Sequence, residues 1–162
     1  MKADYVHVMT IDGEEIDGDS KTVDLPFNHV SARAIVVRRG DGCILGTLHR
    51  PNGKYALPGG ALEDGESTLQ AVQRELEEEN FILMNPDWDA GISVDYYDGY
   101  KELSVWHIVL VDNAEIGYSE ENIESKWISQ DEGLWYPSMQ EKIIMTLNRY
   151  FPELARVSVS VS

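Results

Sequence analysis

Hydrophobic and polar positions along the chain follow two periods, and each predicts an element type. Residues 30–38 (VSARAIVVR) and 43–50 (CILGTLHR) are β-type runs, and Gly40-Asp41-Gly42 between them reads as a hairpin turn. Residues 4–11 (DYVHVMTI) also read as a strand, and 12–20 as an acidic turn region. Residues 54–57 are short and extended, and Pro58-Gly59-Gly60 is expected to stop them. The period then becomes helical. Ser67 and Gln70 match a capping box, which predicts a helix over 67–80 with Leu69, Val72 and Leu76 facing the core. Strand-like runs follow at 81–84, 91–97 and 103–111, with a short one at Trp127-Ile128. A second helix is predicted over 137–151, with Pro137 in its first turn and an apolar stripe of Met139, Ile143, Leu147 and Tyr150. The tail VSVSVS is expected to be loose. Strands and helices interleave around one sheet, which makes the fold class α/β and layered. The whole chain, 1–162, reads as a single domain with its core at 30–152 and an N-terminal extension at 1–28.

Charge narrows the class of partner. The formal net charge is −16. Neutralising duplex phosphates needs clustered Lys and Arg, so double-stranded nucleic acid is not an expected partner. Small phosphorylated ligands stay open, because carboxylates can bind them through bridging metal ions. No stretch approaches the roughly 20 apolar residues of a membrane helix, so no membrane partner is expected. The N-terminus has no apolar signal segment, and Cys43 is the sole cysteine, which excludes an intrachain disulfide. A cytoplasmic location is the expectation.

The chemistry concentrates in GALEDGESTLQAVQRELEEENFI, residues 60–82. Glu75, Glu78 and Glu79 stand at i, i+3 and i+4 and therefore share one helical face, opposite the apolar stripe. Such a cluster repels itself unless hard divalent cations bind it. Spacing alone divides evenly between a metal site and a solvated acidic face. The consecutive glycines ahead of the helix favour the metal site, because they let backbone approach a ligand closely and expose carbonyls. Arg74 is placed to anchor Glu78, and Glu66 to reach the first-turn amides or Arg74.

In this register the segment resembles the Nudix signature: Gly, five free positions, Glu, seven free positions, then Arg-Glu-aliphatic-free-Glu-Glu-free-Gly-aliphatic. Gly60, Glu66, Arg74, Glu75, Leu76, Glu78, Glu79 and Ile82 fall on it, and Leu57-Pro58-Gly59-Gly60 is similar to the family's lead-in. Phe81 departs from it, standing where the family has a helix-ending Gly. Asn80 is therefore expected to take the left-handed turn one position early, leaving Phe81 extended with its ring buried.

The resemblance implies the Nudix fold, an α/β/α sandwich with mixed sheet, and Mg²⁺ (or Mn²⁺) held by Glu75, Glu78 and Glu79 with the Gly59 or Gly60 carbonyl. Arg74 and Glu66 would orient these ligands. It implies hydrolysis of a phosphoanhydride bond in a nucleoside diphosphate linked to another moiety, of the nucleotide sugar or ADP-ribose type. The proton acceptor would be Glu79 or a loop carboxylate among Glu120, Glu121 and Glu124. A nucleoside triphosphate pyrophosphatase is the first alternative. A silent nucleotide-binding domain is disfavoured because all signature carboxylates are present, and an EF-hand because its loop spacing is missing. Arg33, Arg50 and Glu124 are candidate substrate contacts. Tyr96, Tyr97, Tyr100, Tyr118 and Trp127 are candidate base platforms. His49 and His107 read as structural and Cys43 as a small strand residue. A homodimer is an expectation from family analogy alone.

Overall fold

The computed structural model describes residues 6–9, 15–18, 29–97 and 102–159. The centre is a mixed sheet, built around two strands whose residues are almost all apolar or small. These are β3 (His29–Arg38) and β8 (Glu102–Val111), paired in parallel from His29 opposite Glu102 to Arg38 opposite Val111. Strands buried on both faces carry such continuous apolar runs. Outward from β3 lie β4 (Ile44–Leu48) and β10 (Glu124–Ile128), both antiparallel. Outward from β8 lies β7 (Asp87–Tyr97), also antiparallel.

The period-2 alternation of β3 divides the core in two. Ile35 and Val37 join Ile108, Trp135 and the helix α2 (Pro137–Tyr150) through Ile143 and Leu147. Ala32, Ala34 and Val36 join Val109, Val111 and the helix α1 (Thr68–Glu78) through Ala71, Val72 and Leu76. One helix therefore covers each face, the α/β/α sandwich that the sequence resemblance implied. Two small antiparallel pairs stand apart from the central sheet: β1 (Val6–Met9) with β2 (Glu15–Gly18), and β6 (Phe81–Met84) with β9 (Asn113–Ile116). The acidic stretch expected to be a turn thus supplies β2, and β9 was not anticipated.

A second difference bears on the site. Pro58-Gly59-Gly60 does not end extended structure. Gly59–Ala61 forms β5, antiparallel to β3 at Ser31–Arg33. The reason is steric. Gly59 has φ +147°, and a Cβ there would lie 2.2 Å from the Ala32 carbonyl oxygen. Only glycine lets this segment lie against β3, which sets the loop directly beneath α1. The VSVSVS tail is partly tied down, because Asn148 Nδ2 donates to the Val157 carbonyl and Asn148 Oδ1 accepts from the Val159 amide. Residues 160–162 lie outside the described residues.

Candidate active site

The site begins with the helix start. Ser67 Oγ accepts from the Gln70 amide at 3.1 Å and Gln70 Oε1 accepts from the Ser67 amide at 2.9 Å, the expected capping box. The preceding residue, Glu66, faces Arg74 as a fork. Arg74 Nε donates to Glu66 Oε2 at 2.6 Å and Nη2 to Glu66 Oε1 at 3.1 Å. This bidentate pair holds the Glu66 carboxyl below its ordinary range. The same guanidinium reaches Glu75 Oε1 and Glu78 Oε2, each at 3.2 Å, and the Ala61 carbonyl at 3.2 Å. Arg74 thus ties the loop before α1, the helix and β5 into one unit.

The three carboxylates of the helical face sit in different surroundings. Glu78 is half exposed at 52% and leans on Arg74. Glu75 points inward at β5: a Cβ on Gly60 would lie 2.7 Å from Glu75 Oε1. Burial raises the Glu75 carboxyl above its ordinary range, while Arg74 pulls it back. Glu79 is 3% exposed, and its Oε2 has no hydrogen-bond partner. Burial, opposed by the Asn122 side chain and reinforced by the charges of Glu75 and Glu121, lifts Glu79 to about 7. The shared face does not converge into a ready cage. Among the described residues no three His, Cys, Asp or Glu side chains gather in metal-holding geometry. Arg74 holds Glu78 outward and competes for Glu75, which relieves the mutual repulsion in this conformation.

The helix exit follows the expected course. Asn80 has φ +61°. Its carbonyl accepts from the Gly117 amide at 2.9 Å, and its side-chain amide donates to the Tyr118 carbonyl. Phe81 is extended in β6, 6% exposed, and packs with Leu76, Val72 and Val111.

The loop after β9 therefore starts at the end of α1 and returns past the carboxylates. Of its three acidic candidates, Glu121 is the one whose charge acts on both Glu75 and Glu79. Glu120 is exposed, and Glu124 lies across the sheet beside Tyr55, with Lys126 Nζ at 3.6 Å. Asn122, which no sequence reasoning singled out, lies against Glu79. Its amide is buried and leans on the Glu79 carboxylate, pulling that carboxyl's pKa down against the effect of burial. Nothing local distinguishes Asn122 from its acidic neighbours in the sequence.

The remaining candidates separate. Arg33 Nη1 donates to the Leu57 carbonyl at 2.7 Å. Burial lowers its pKa, and the charges of Glu79, Glu102 and Glu75 oppose that, so it belongs to the acidic cluster. Arg50 is exposed and donates to the Tyr136 hydroxyl at 3.4 Å, at the start of α2. Tyr118 is 81% exposed. Trp127 packs on the α1 side of the core under Arg38, 4.7 Å from its ring centroid. Tyr100 and the side chains of Tyr96 and Tyr97 lie outside the described residues. His107 Nε2 is 2.8 Å from Thr68 Oγ1 at the start of α1. His49 Nδ1 donates to the Glu121 carbonyl at 3.2 Å, which anchors the loop. Burial raises the Cys43 thiol, which opposes nucleophilic use.

The Gly60 contact carries a prediction. In Gly60→Ala the new methyl meets the far end of a flexible side chain, so the fold should survive while the Glu75 carboxylate moves. Turnover should fall by a factor on the order of 10², the scale of an ångström-level misplacement, with an unchanged circular dichroism spectrum. Wild-type turnover in this variant would remove Glu75 from the site.

The NUDIX domain model matches residues 28–147. A MutT-like protein of Streptomyces ambofaciens is 31% identical over 112 residues, 66% of this chain and 68% of that protein. Among solved structures, a bifunctional NMN adenylyltransferase/ADP ribose pyrophosphatase from Francisella tularensis, complexed with AMP and a manganese ion, superposes with a TM-score of 0.59 at 25% identity. The match covers 75% of this chain and 41% of that one, so this chain spans less than half its length. A C. elegans Ap4A hydrolase superposes with a TM-score of 0.60 at 17% identity, covering 76% and 98% of the two chains. With the signature helix in register and 28–147 matched, the chain belongs to the Nudix hydrolase family.

Proposed function

We propose that this Nudix pyrophosphohydrolase cleaves the phosphoanhydride bond of a nucleoside diphosphate linked to another moiety, with Mg²⁺ or Mn²⁺ held by Glu75, Glu78 and Glu79 and by the Gly59 or Gly60 carbonyl. The carrying observation is Glu79 Oε2, a buried carboxylate oxygen without a hydrogen-bond partner, near the half-buried carboxylate of Glu75. Such an oxygen is costly unless a cation or a proton neutralises it. The donor set, carboxylate and carbonyl oxygens, suits a hard divalent ion. When bound, the ion supplies charge neutralisation for the diphosphate and acidifies water.

The chain's own residues do the rest. Arg74 and Glu66 fix α1 against β5, so the ligands keep their spacing. Glu79 or Glu121 takes the proton of the attacking water. Arg33 offsets the charge of Glu79 and Glu75, which supports its reading as the cation for substrate phosphate. The domain acting is the 30–152 core, on a small nucleotide in the cytoplasm.

A linked diphosphate is favoured by the manganese- and AMP-bound Francisella relative, whose second activity is ADP-ribose pyrophosphatase. The MutT-like relative supports the alternative, a nucleoside triphosphate pyrophosphatase. A panel of ADP-ribose, nucleotide sugars, dinucleoside polyphosphates and nucleoside triphosphates with Mg²⁺ decides between them. Monophosphate plus a phosphorylated second product is the expected outcome, whereas pyrophosphate release from triphosphates alone would select the alternative. EDTA should abolish turnover and added Mg²⁺ restore it. Full turnover in metal-free buffer would end the metal assignment.

A further inference from the structure

The α2 face of the central sheet changes character along its length. β3 and β8 are in register, so Ile35 stands opposite Ile108, Arg33 opposite Trp106, Ser31 opposite Ser104 and His29 opposite Glu102. The apolar cluster under α2 takes Ile35, Val37, Trp106 and Ile108 from these strands and stops there. Lys142 of α2 marks the border. Its Nζ lies 2.9 Å from Asp95 Oδ2, which also accepts from Trp106 Nε1 at 2.9 Å.

Past that border lies an ordered relay. Ser31 Oγ donates to Glu102 Oε1 at 3.2 Å. Its single proton is thereby used, so Ser104 Oγ, also 3.2 Å away, donates to Ser31. Both serines are 8% exposed, whereas the Glu102 side chain is 32% exposed. Two buried hydroxyls therefore aim a carboxylate that a ligand can reach. Buried sheet positions are ordinarily apolar, because burying polar groups costs free energy.

The relay adjoins the reaction centre. β5 sets Gly59 opposite Arg33 and Ala61 opposite Ser31. The charges of Glu79, Glu102 and Glu75 all reach Arg33. Ser31 lies two residues from Arg33, roughly 7 Å along the strand on the same face. A phosphate on Arg33 thus brings the group it carries toward Glu102. A carboxylate only accepts hydrogen bonds and repels further phosphate, so it favours a group with neighbouring hydroxyls, each a donor.

We propose that Glu102, aimed by Ser31 and Ser104, is the specificity-determining contact for hydroxyls of a sugar attached to the substrate diphosphate, so that the enzyme prefers a ribosyl diol to its 2-deoxy counterpart. This rests on the linked-diphosphate reading above. The sugar is either the nucleoside's own or that of the linked moiety.

The test compares ADP-ribose with two analogues, one lacking the 2-hydroxyl of the adenosine sugar and one lacking that of the distal ribose. Wild-type kcat/KM should fall about 10- to 100-fold for one analogue, the scale of a hydrogen bond to a charged group, and that analogue identifies the sugar. In Glu102→Ala and Ser31→Ala the KM for ADP-ribose should rise by a similar factor with kcat within about threefold, and the preference should collapse. A merely structural role would weaken all three substrates alike. Wild-type values within about twofold for all three, or a preference that survives in Glu102→Ala, overturns the proposal, since a lost charged contact costs more than that. A Glu102→Ala variant that changes the preference between adenine and guanine substrates but not between sugars also overturns it and assigns the carboxylate to the base. If Ser31→Ala does not fold, the surface variant Glu102→Ala carries the test. Calorimetry with ribose 5-phosphate and 2-deoxyribose 5-phosphate in Mn²⁺ gives a readout independent of turnover. Tighter binding of the ribose compound, lost in Glu102→Ala, supports the proposal, and equal affinities overturn it. A wild type that cleaves none of the three substrates would sink the linked-diphosphate reading alone, and the calorimetric comparison would still decide the role of Glu102.

Discussion

Glu79→Gln should lower turnover by a factor on the order of 10² or more, the scale of losing a principal catalytic group, while making the metal-free protein more stable at about pH 8. The two effects share one cause. In the folded protein burial lifts the Glu79 carboxyl from an ordinary 4.5 to about 7. A carboxyl whose folded pKa lies above its unfolded one binds more protons when native. Its stability contribution is therefore intact below about 4.5 and lost as pH rises through about 7. Above that window the ionised group costs on the order of 3 kcal/mol, since each tenfold step in proton affinity is about 1.4 kcal/mol. Glutamine has the same shape and no charge, so it removes this cost, although its amide stays imperfectly paired. We expect a gain of about 1–3 kcal/mol in EDTA at about pH 8, several degrees in melting temperature for a chain of this size. The gain should shrink toward about pH 5, where wild-type Glu79 is already protonated. Saturating Mg²⁺ should raise the wild-type melting temperature more than that of the variant, because only the native state with its ligand intact gains binding energy. Glu78→Gln should lose activity on a similar scale with little change in stability, because the carboxylate is solvated and its pairing with Arg74 contributes at most about 1 kcal/mol. Near wild-type rates in both variants would contradict the ligand assignment, and a flat melting profile for wild type across about pH 5–8 in EDTA would contradict the burial account of Glu79.

Phe81→Gly should destabilise the fold by about 3 kcal/mol, near the cost of emptying a buried aromatic site. Phe81 is 6% exposed and packs against Leu76, Val72 and Val111, beneath the signature helix. Restoring the family's glycine removes that ring and adds backbone entropy to the unfolded chain. It gains no cap in return, because Asn80 already makes the left-handed turn at φ +61°. Two bonds hold that turn without the ring, from the Gly117 amide to the Asn80 carbonyl and from the Asn80 side chain to the Tyr118 carbonyl. Activity per folded molecule should therefore stay within about twofold, while the melting temperature drops by about 6–12 °C. A thermal melt and a rate measurement on the same sample test both halves. If Phe81→Gly melts at or above wild type, the ring is not what secures this helix end.

What the sequence determined by itself was local. The capping box of Ser67 and Gln70, the carboxylate spacing of Glu75, Glu78 and Glu79, the reach of Arg74 to Glu78 and the turn at Asn80 depend on residues within about one helical turn, where spacing fixes geometry. The strands of the central sheet were legible where apolar runs were long, as in β3 and β8. The tertiary structure alone decided the rest. That β3 pairs in parallel with β8, and that β5 fills the edge of β3 at Ser31–Arg33, are choices between distant segments that no local pattern encodes. Burial is likewise a property of what packs overhead. Three glutamates alike in the sequence become one half-exposed partner of Arg74, one carboxylate pressed on Gly60, and one enclosed acid lifted to about 7. Asn122 became visible for the same reason: the packing of a distant loop, not any local pattern, sets it against Glu79.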